Sequence, residues 1–324
     1  MPFDAKPRRQ RNLILVTEPG RQDPQDFGEI ASRVAALDQS IRVFIVSPQD
    51  TGDFLNGQDW RYPTLTVTLG SLGRFMPKRG RVLFNRIVSK LRQYELFVEM
   101  GVRTPRTIAY RADKKFDATG WGPVVVFKPD DVKSSSRGKT AVLVKTQRLC
   151  DPQTLSEELR RKAGTLPMLV QEYIPTGARV VCYRAGTFLG KVIHLLKKTG
   201  IASVPDIGDA HIEDAVIDSN SEQTDEGRFA SRELMRDEAI MKLARKVAAG
   251  FPGIPLLGID ILRHSTTGED YVLEINGGGN TWQFSSDYSA GGRMVIGKDE
   301  RVRQFDAWDT CARALVAKTR KLAN

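Results

Sequence analysis

The chain has 324 residues, 40 % hydrophobic and 27 % charged, the composition of a folded globular protein long enough for two packed domains. No apolar run reaches the roughly 20 residues of a membrane-spanning helix, and the basic, polar first twelve residues lack the apolar stretch of a secretory signal, so the expected setting is the cytoplasm with no membrane contact. The net charge of +10 favours an anionic partner, and because no run of five or more Lys and Arg occurs, nucleic acid is the weaker expectation.

From the N-terminus, Asn12 to Thr17 predicts a buried strand, and Phe27, Ile30, Ala31, Val34 and Leu37 recur on one helical face. Ile41 to Val46 predicts a second strand, and this order implies a small α/β unit with parallel strands. The turn Glu18-Pro19-Gly20-Arg21 lacks the glycine spacing of a dinucleotide fingerprint. Phe84 to Met100 predicts a helix with Ile87, Leu91, Tyr94 and Val98 inward and Gly101 as its stop; Thr104-Pro105 then marks the end of a first domain, 1–104. Val124 to Lys128 and Ala141 to Val144 read as strands around a polar loop, and Thr154 and Glu157 have capping-box spacing for a short helix ended by Gly164. Leu169 to Ile174, Val180 to Tyr183 and Phe188 to Leu196 read as strands, and Ile201 to Gly227 as a long acidic loop or lid. Ile240, Leu243, Ala244 and Val247 mark a helix, Leu257 to Asn276 a strand pair, and Phe305 to Leu322 a last helix.

Three segments carry chemistry. In LGIDILRHSTTGEDYVLEIN, Leu257 to Asn276, two strands flank a polar turn at Thr267-Gly268. Alternation puts Gly258, Asp260 and Leu262 on one face, and Val272, Glu274 and Asn276 on one face. Asp260 and Glu274 are equidistant from Thr267, so a symmetric hairpin opposes them at about 5 Å between Cβ atoms. Opposed carboxylates need a cation between them, and with the Asn276 carbonyl oxygen they form a hard-oxygen cluster suited to magnesium. A solvated hairpin is disfavoured because Ile259, Ile261, Leu273 and Ile275 leave the other face apolar. In VVVFKPDDVKSSSRGKTAVLV, Val124 to Val144, Lys128 ends an apolar strand row, and Ser134, Ser135, Ser136, Arg137, Gly138 and Lys139 offer hydroxyls, amides and charge to a phosphate chain; a solvated hairpin turn is the even alternative. In LVQEYIPTGARVVCY, Leu169 to Tyr183, a strand ends at Ile174-Pro175 and restarts after Gly177, like a hinge whose backbone groups can meet an adenine edge.

The remaining candidates read more plainly. Trp282, Phe284 and Tyr288 suit a core better than a pocket wall. Lys197 and Lys198 suit a solvated pair better than an acceptor contact. Cys150, Cys182 and Cys311 have neither disulfide nor zinc spacing and read as reduced thiols, and His194, His211 and His264 receive no catalytic role.

The three segments, in this order and over roughly residues 90–280, resemble the ATP-grasp superfamily. The resemblance implies an α/β N-terminal domain followed by a two-lobed α+β ATP-grasp domain over 105–324, with lobes of about 105–175 and 176–324 and ATP between them. It implies Asp260, Glu274 and Asn276 as ligands of two magnesium ions, with manganese as a substitute, and Lys90 and Lys128 on the nucleotide phosphates. Ser134, Ser135 and Ser136 would lie in the loop that closes over the phosphates, and Gln171, Glu172 and the backbones of Tyr173 and Ile174 would hold adenine. Arg179 matches the family's arginine near the transferred phosphoryl group or the substrate carboxylate, the catalytic position. Three features depart from the family: serines stand for glycines in the loop, no acidic residue for the ribose follows the hinge, and Gly277 to Trp282 (GGGNTW) replaces the usual serine- and proline-containing continuation.

The activity so implied is a ligase joining a carboxylate to an amine or thiol through an acyl phosphate. Its substrate would be an acidic small molecule, peptide or protein, and a homodimer is the default assembly. Two other readings stay open. One is a kinase on the same fold; the other is a nucleotide-binding or nucleic-acid-associated protein without turnover, which the basic charge and the missing ribose acid favour and the intact metal set disfavours.

Overall fold

The computed structural model describes residues 9–51, 58–130, 141–204 and 231–323. The first sheet is formed by β1 (Arg11–Val16), β2 (Ile41–Val46), β3 (Thr64–Thr68) and β4 (Arg81–Leu83). All its pairings are parallel, in the order β2-β1-β3-β4. Helix α1 (Pro24–Leu37) starts at Asp23, whose side chain accepts from the Gln25 backbone N–H, with Pro24 at the first helical position. It buries Phe27, Ile30 and Val34; Leu37, expected inward, is exposed because the helix ends there.

Helix α2 (Lys90–Glu99) is shorter and differently phased than the apolar spacing predicts. Ser89 caps it, accepting from Arg92 N–H, so Phe84 to Val88 stay outside. Tyr94 and Phe97 face inward, while Ile87 and Val98 are 71 % and 67 % exposed. Gln93 takes the buried place of an apolar residue because its amide is satisfied on both sides, donating to the Val88 carbonyl and accepting from Ile275 N–H at 2.8 Å.

The second sheet is antiparallel: β5 (Thr107–Tyr110), β6 (Val124–Pro129), β7 (Val142–Lys145) and β8 (Met168–Glu172), in the order β5-β8-β6-β7. Helix α3 (Glu157–Thr165) is capped by Ser156, not Thr154, because Thr154 ends a separate 3₁₀ turn; Gly164 lies inside the helix. The Ser156 hydroxyl accepts from Leu159 N–H at 3.4 Å. Ser156→Ala is expected to cost about 0.5–2 kcal/mol, read as a lower urea midpoint; an unchanged midpoint would remove the cap from the account.

The third sheet has the order β11-β10-β9-β12-β13 and is antiparallel, with β9 (Arg179–Phe188), β10 (Lys191–Ser203), β11 (Ser231–Leu234), β12 (Leu256–Arg263) and β13 (Asp270–Gly277). The expected strand Phe188 to Leu196 is split by a tight turn, with Leu189 at φ 50° and Gly190 at φ 84°, the two positive values a two-residue hairpin needs. Ile201 to Ser203 finish β10, and the rest of the expected acidic loop, from 205 onward, lies outside the described residues.

One face of this sheet packs on α2 and on α4 (Glu238–Ala249) through Ala185, Leu195, Ile259, Ile261 and Ile275. Short helices α5 (Ala290–Val295) and α6 (Lys298–Gln304) lead to α7 (Ala307–Leu322), which returns to the first sheet. Trp308 of α7 stacks on Trp282 at 5.8 Å, within a core that also takes in Leu13, Phe27, Leu65 and Phe188. Trp282 and Phe284 are therefore core, and the Trp282 indole N–H donates to Asp26 at 2.9 Å. Among the described residues no helix is long and apolar enough to cross a membrane.

Candidate active site

The remaining face of the third sheet carries charge. In the β12–β13 register Asp260 stands opposite Glu274, as the symmetric hairpin predicts, and Gly258 opposite Asn276. Below that pair the register shifts by one residue. Val272, expected beside Glu274, therefore lies opposite Ile261 and is fully buried in the apolar cluster, while Leu273 is only half-buried.

Asp260 has a second cross-strand neighbour, Arg184 of β9. The Arg184 guanidinium grips it with two bonds, Nε on Oδ1 and Nη2 on Oδ2, the latter at 2.5 Å. Burial opposes the Arg184 charge, but the Asp260 carboxylate outweighs that and raises its pKa. The Asn276 side-chain amide donates to both carboxylates, at 3.1 Å to Asp260 and 3.2 Å to Glu274.

The second sheet contributes Lys128. On β6 and β8, Val126 pairs with Gln171 and Lys128 with Leu169, so Lys128 and Gln171 are diagonal neighbours on one face. The Lys128 ammonium donates to Gln171 Oε1 and to the Tyr94 hydroxyl, both at 2.8 Å. Burial pulls the Lys128 pKa down to about 8 despite the opposing charges of Glu274 and Asp130. Burial would raise the Glu274 pKa, but the charges of Lys90 and Lys128, the Asn276 hydrogen bond and Arg184 lower it on balance, so this carboxylate stays ionised. Lys90 opens α2, where its backbone N–H and that of Leu91 donate to Asp130, the residue that follows β6.

Asp260, Glu274, Asn276, Lys128 and Gln171 are thus brought together, with Lys90 close enough to act on Glu274. Glu172 ends β8, and its carboxylate accepts from Arg106 N–H at 3.1 Å; half-buried Tyr173 and buried Ile174 follow in the hinge. Arg179 sits exposed at the start of β9, an odd number of residues from Arg184 and so on the other face of that strand. Ser134, Ser135 and Ser136 lie outside the described residues.

Sequence reasoning missed Arg184 and underrated Lys198. Lys198 is buried rather than solvated, and burial, aided by Arg184, pulls its pKa down to about 8. Both sit within apolar strands, and a cation in such a setting is a signal in itself. Lys197 remains near the surface, 3.6 Å from Glu233.

Glu274 is ionised and partly buried, Oε2 takes no hydrogen bond among the described residues, and the Asn276 carbonyl oxygen likewise accepts none; these hard oxygens fit magnesium. Asp260 fits less well, since Arg184 engages both of its oxygens.

No family model and no curated protein matches the sequence. Solved structures do match along nearly the full length. The ATP-grasp ligase PsnB with minimal precursor, Mg and ADP is 16 % identical at a TM-score of 0.51, covering 95 % of this chain and 97 % of its own. PsnB with precursor peptide PsnA2 and AMPPNP is 16 % identical at 0.50, covering 95 % and 97 %. The D-cycloserine synthetase DcsG is 15 % identical at 0.51, covering 95 % and 99 %. Together with the parallel first sheet, the two antiparallel sheets and their order, these matches show that this chain has the ATP-grasp fold.

Proposed function

We propose that the protein is an ATP-dependent ligase that activates a carboxylate as its acyl phosphate and transfers the acyl group to an amine. The observation that carries this reading is the convergence of Lys128 from one sheet and the Glu274–Asn276 oxygens from another on a common space. Such a pair suits a polyphosphate with its counter-ion.

Magnesium, when bound at Glu274 and Asn276, supplies charge neutralisation on the phosphate oxygens. Lys128, oriented by Gln171 and Tyr94, holds a second set of phosphate oxygens, and Lys90 adds charge at the same end. The hinge at Glu172 to Ile174 receives adenine. A carboxylate oxygen of the substrate attacks the γ-phosphorus and ADP leaves. The amine then attacks the acyl carbon, phosphate leaves, and the amine gives up a proton. The net charge of +10 and PsnB's precursor peptide both favour an acidic peptide as the first acceptor to try.

An ¹⁸O-labelled substrate carboxylate tests the chemistry. One label is expected in the released phosphate, and release should require both acceptors; label-free phosphate, or a phosphorylated product that persists, would replace the ligase by a hydrolase or a kinase. A second expectation concerns pH. Phosphates favour the charged form of Lys128, so ADP affinity should be level below pH 8 and weaken by up to about tenfold per pH unit above it. Calorimetry at pH 7, 8 and 9 reads this slope, which Lys128→Met should abolish; a slope that survives belongs to another group such as Lys198.

A further inference from the structure

We propose that Arg184 is a resident cation that takes the place of one magnesium ion, so that the loaded site holds a single divalent ion, on Glu274 and Asn276. The proposal rests on the nucleotide reading above and departs from the two ions that the sequence resemblance implies.

Three side chains stand abreast on one sheet face, with Asp260 between Arg184 and Glu274. The two carboxylates differ in what they have left to offer. Asp260 is 4 % exposed and Arg184 8 %, and the guanidinium covers both Asp260 oxygens while Asn276 adds a third hydrogen bond on Oδ2. Glu274 accepts one hydrogen bond, from Asn276, and its second oxygen accepts none among the described residues. A divalent ion on Asp260 would therefore lie against a buried guanidinium, where repulsion is little screened.

The seat of Arg184 is built for it. Gly258 lies two residues before Asp260 on the same face, and a Cβ there would come within 2.6 Å of the Thr281 methyl, 3.1 Å of Arg184 Nη1 and 3.2 Å of its Cδ. The missing side chain leaves room that the Thr281 methyl and the Arg184 side chain share. Displacement toward β10 is opposed as well, because Lys198 lies buried on that side and its charge and that of Arg184 act against each other. Space and charge both hold the arginine on Asp260.

The test counts manganese. The full chain with ADP is titrated with Mn²⁺, and bound ions are followed by electron paramagnetic resonance. Wild type is expected to bind one ion per chain, with no spin–spin coupling between ions. Arg184→Met, which uncovers Asp260, is expected to bind two ions and to show the coupled spectrum. Two coupled ions in wild type, or a count that stays at one in a folded Arg184→Met, would overturn the resident cation and leave the nucleotide site standing. No nucleotide-dependent manganese in wild type would overturn both. If Arg184→Met does not fold, the wild-type count still decides.

Discussion

Glu274→Gln is expected to lower phosphate release by roughly 10²–10³-fold, the effect of removing a charge-stabilising group at a transferring phosphoryl. The substitution is nearly isosteric, and its amide oxygen can still accept from Asn276, so the fold should persist. Binding gives a readout that needs no acceptor. A magnesium–nucleotide complex at a hundred times its Kd stabilises the folded state by about 2.7 kcal/mol, a rise in Tm on the order of 4 °C for a chain of this length. That rise should need both magnesium and nucleotide in wild type and largely vanish in the variant. A variant that keeps the full rise would remove Glu274 from the metal site.

Asp260→Ala is expected to destabilise the chain by about 3–5 kcal/mol, because it strands the buried Arg184 guanidinium without its carboxylate. Urea unfolding reads this directly. The double variant Arg184→Met/Asp260→Asn, which removes both charges, should lose much less than the single change. A single variant within about 0.5 kcal/mol of wild type would mean that water or another anion replaces Asp260.

The hairpin holding Asp260 and Glu274 was legible because strand side chains alternate and the turn at Thr267-Gly268 sets the register. Its bulge was not, since one extra residue leaves no mark on a sequence that reads Val272, Leu273, Glu274 with apolar residues on both sides. Lys128 was legible as a cation ending an apolar row, whereas its partner Tyr94 showed only as an apolar helix position. Arg184 stayed hidden because its meaning depends on Asp260, 76 residues away. The start of α2 was misjudged because Phe84 and Ile87 continue a helical spacing that the Ser89 cap interrupts. Leu189 concealed the β9–β10 turn, since leucine is not a residue that positive φ selects.

The return of α7 to the first sheet bears on how the chain is made. Leu13, Leu15, Leu65 and Val67 share one core with Trp308, Cys311 and Leu315, and Arg320 reaches back to Asp38 at 2.6 Å. During synthesis the α/β unit leaves the ribosome well before α7, the helix that covers one of its faces. That face must wait, exposed or chaperoned, through translation of the second and third sheets. Folding of the first sheet and its core is thereby tied to the synthesis of α7.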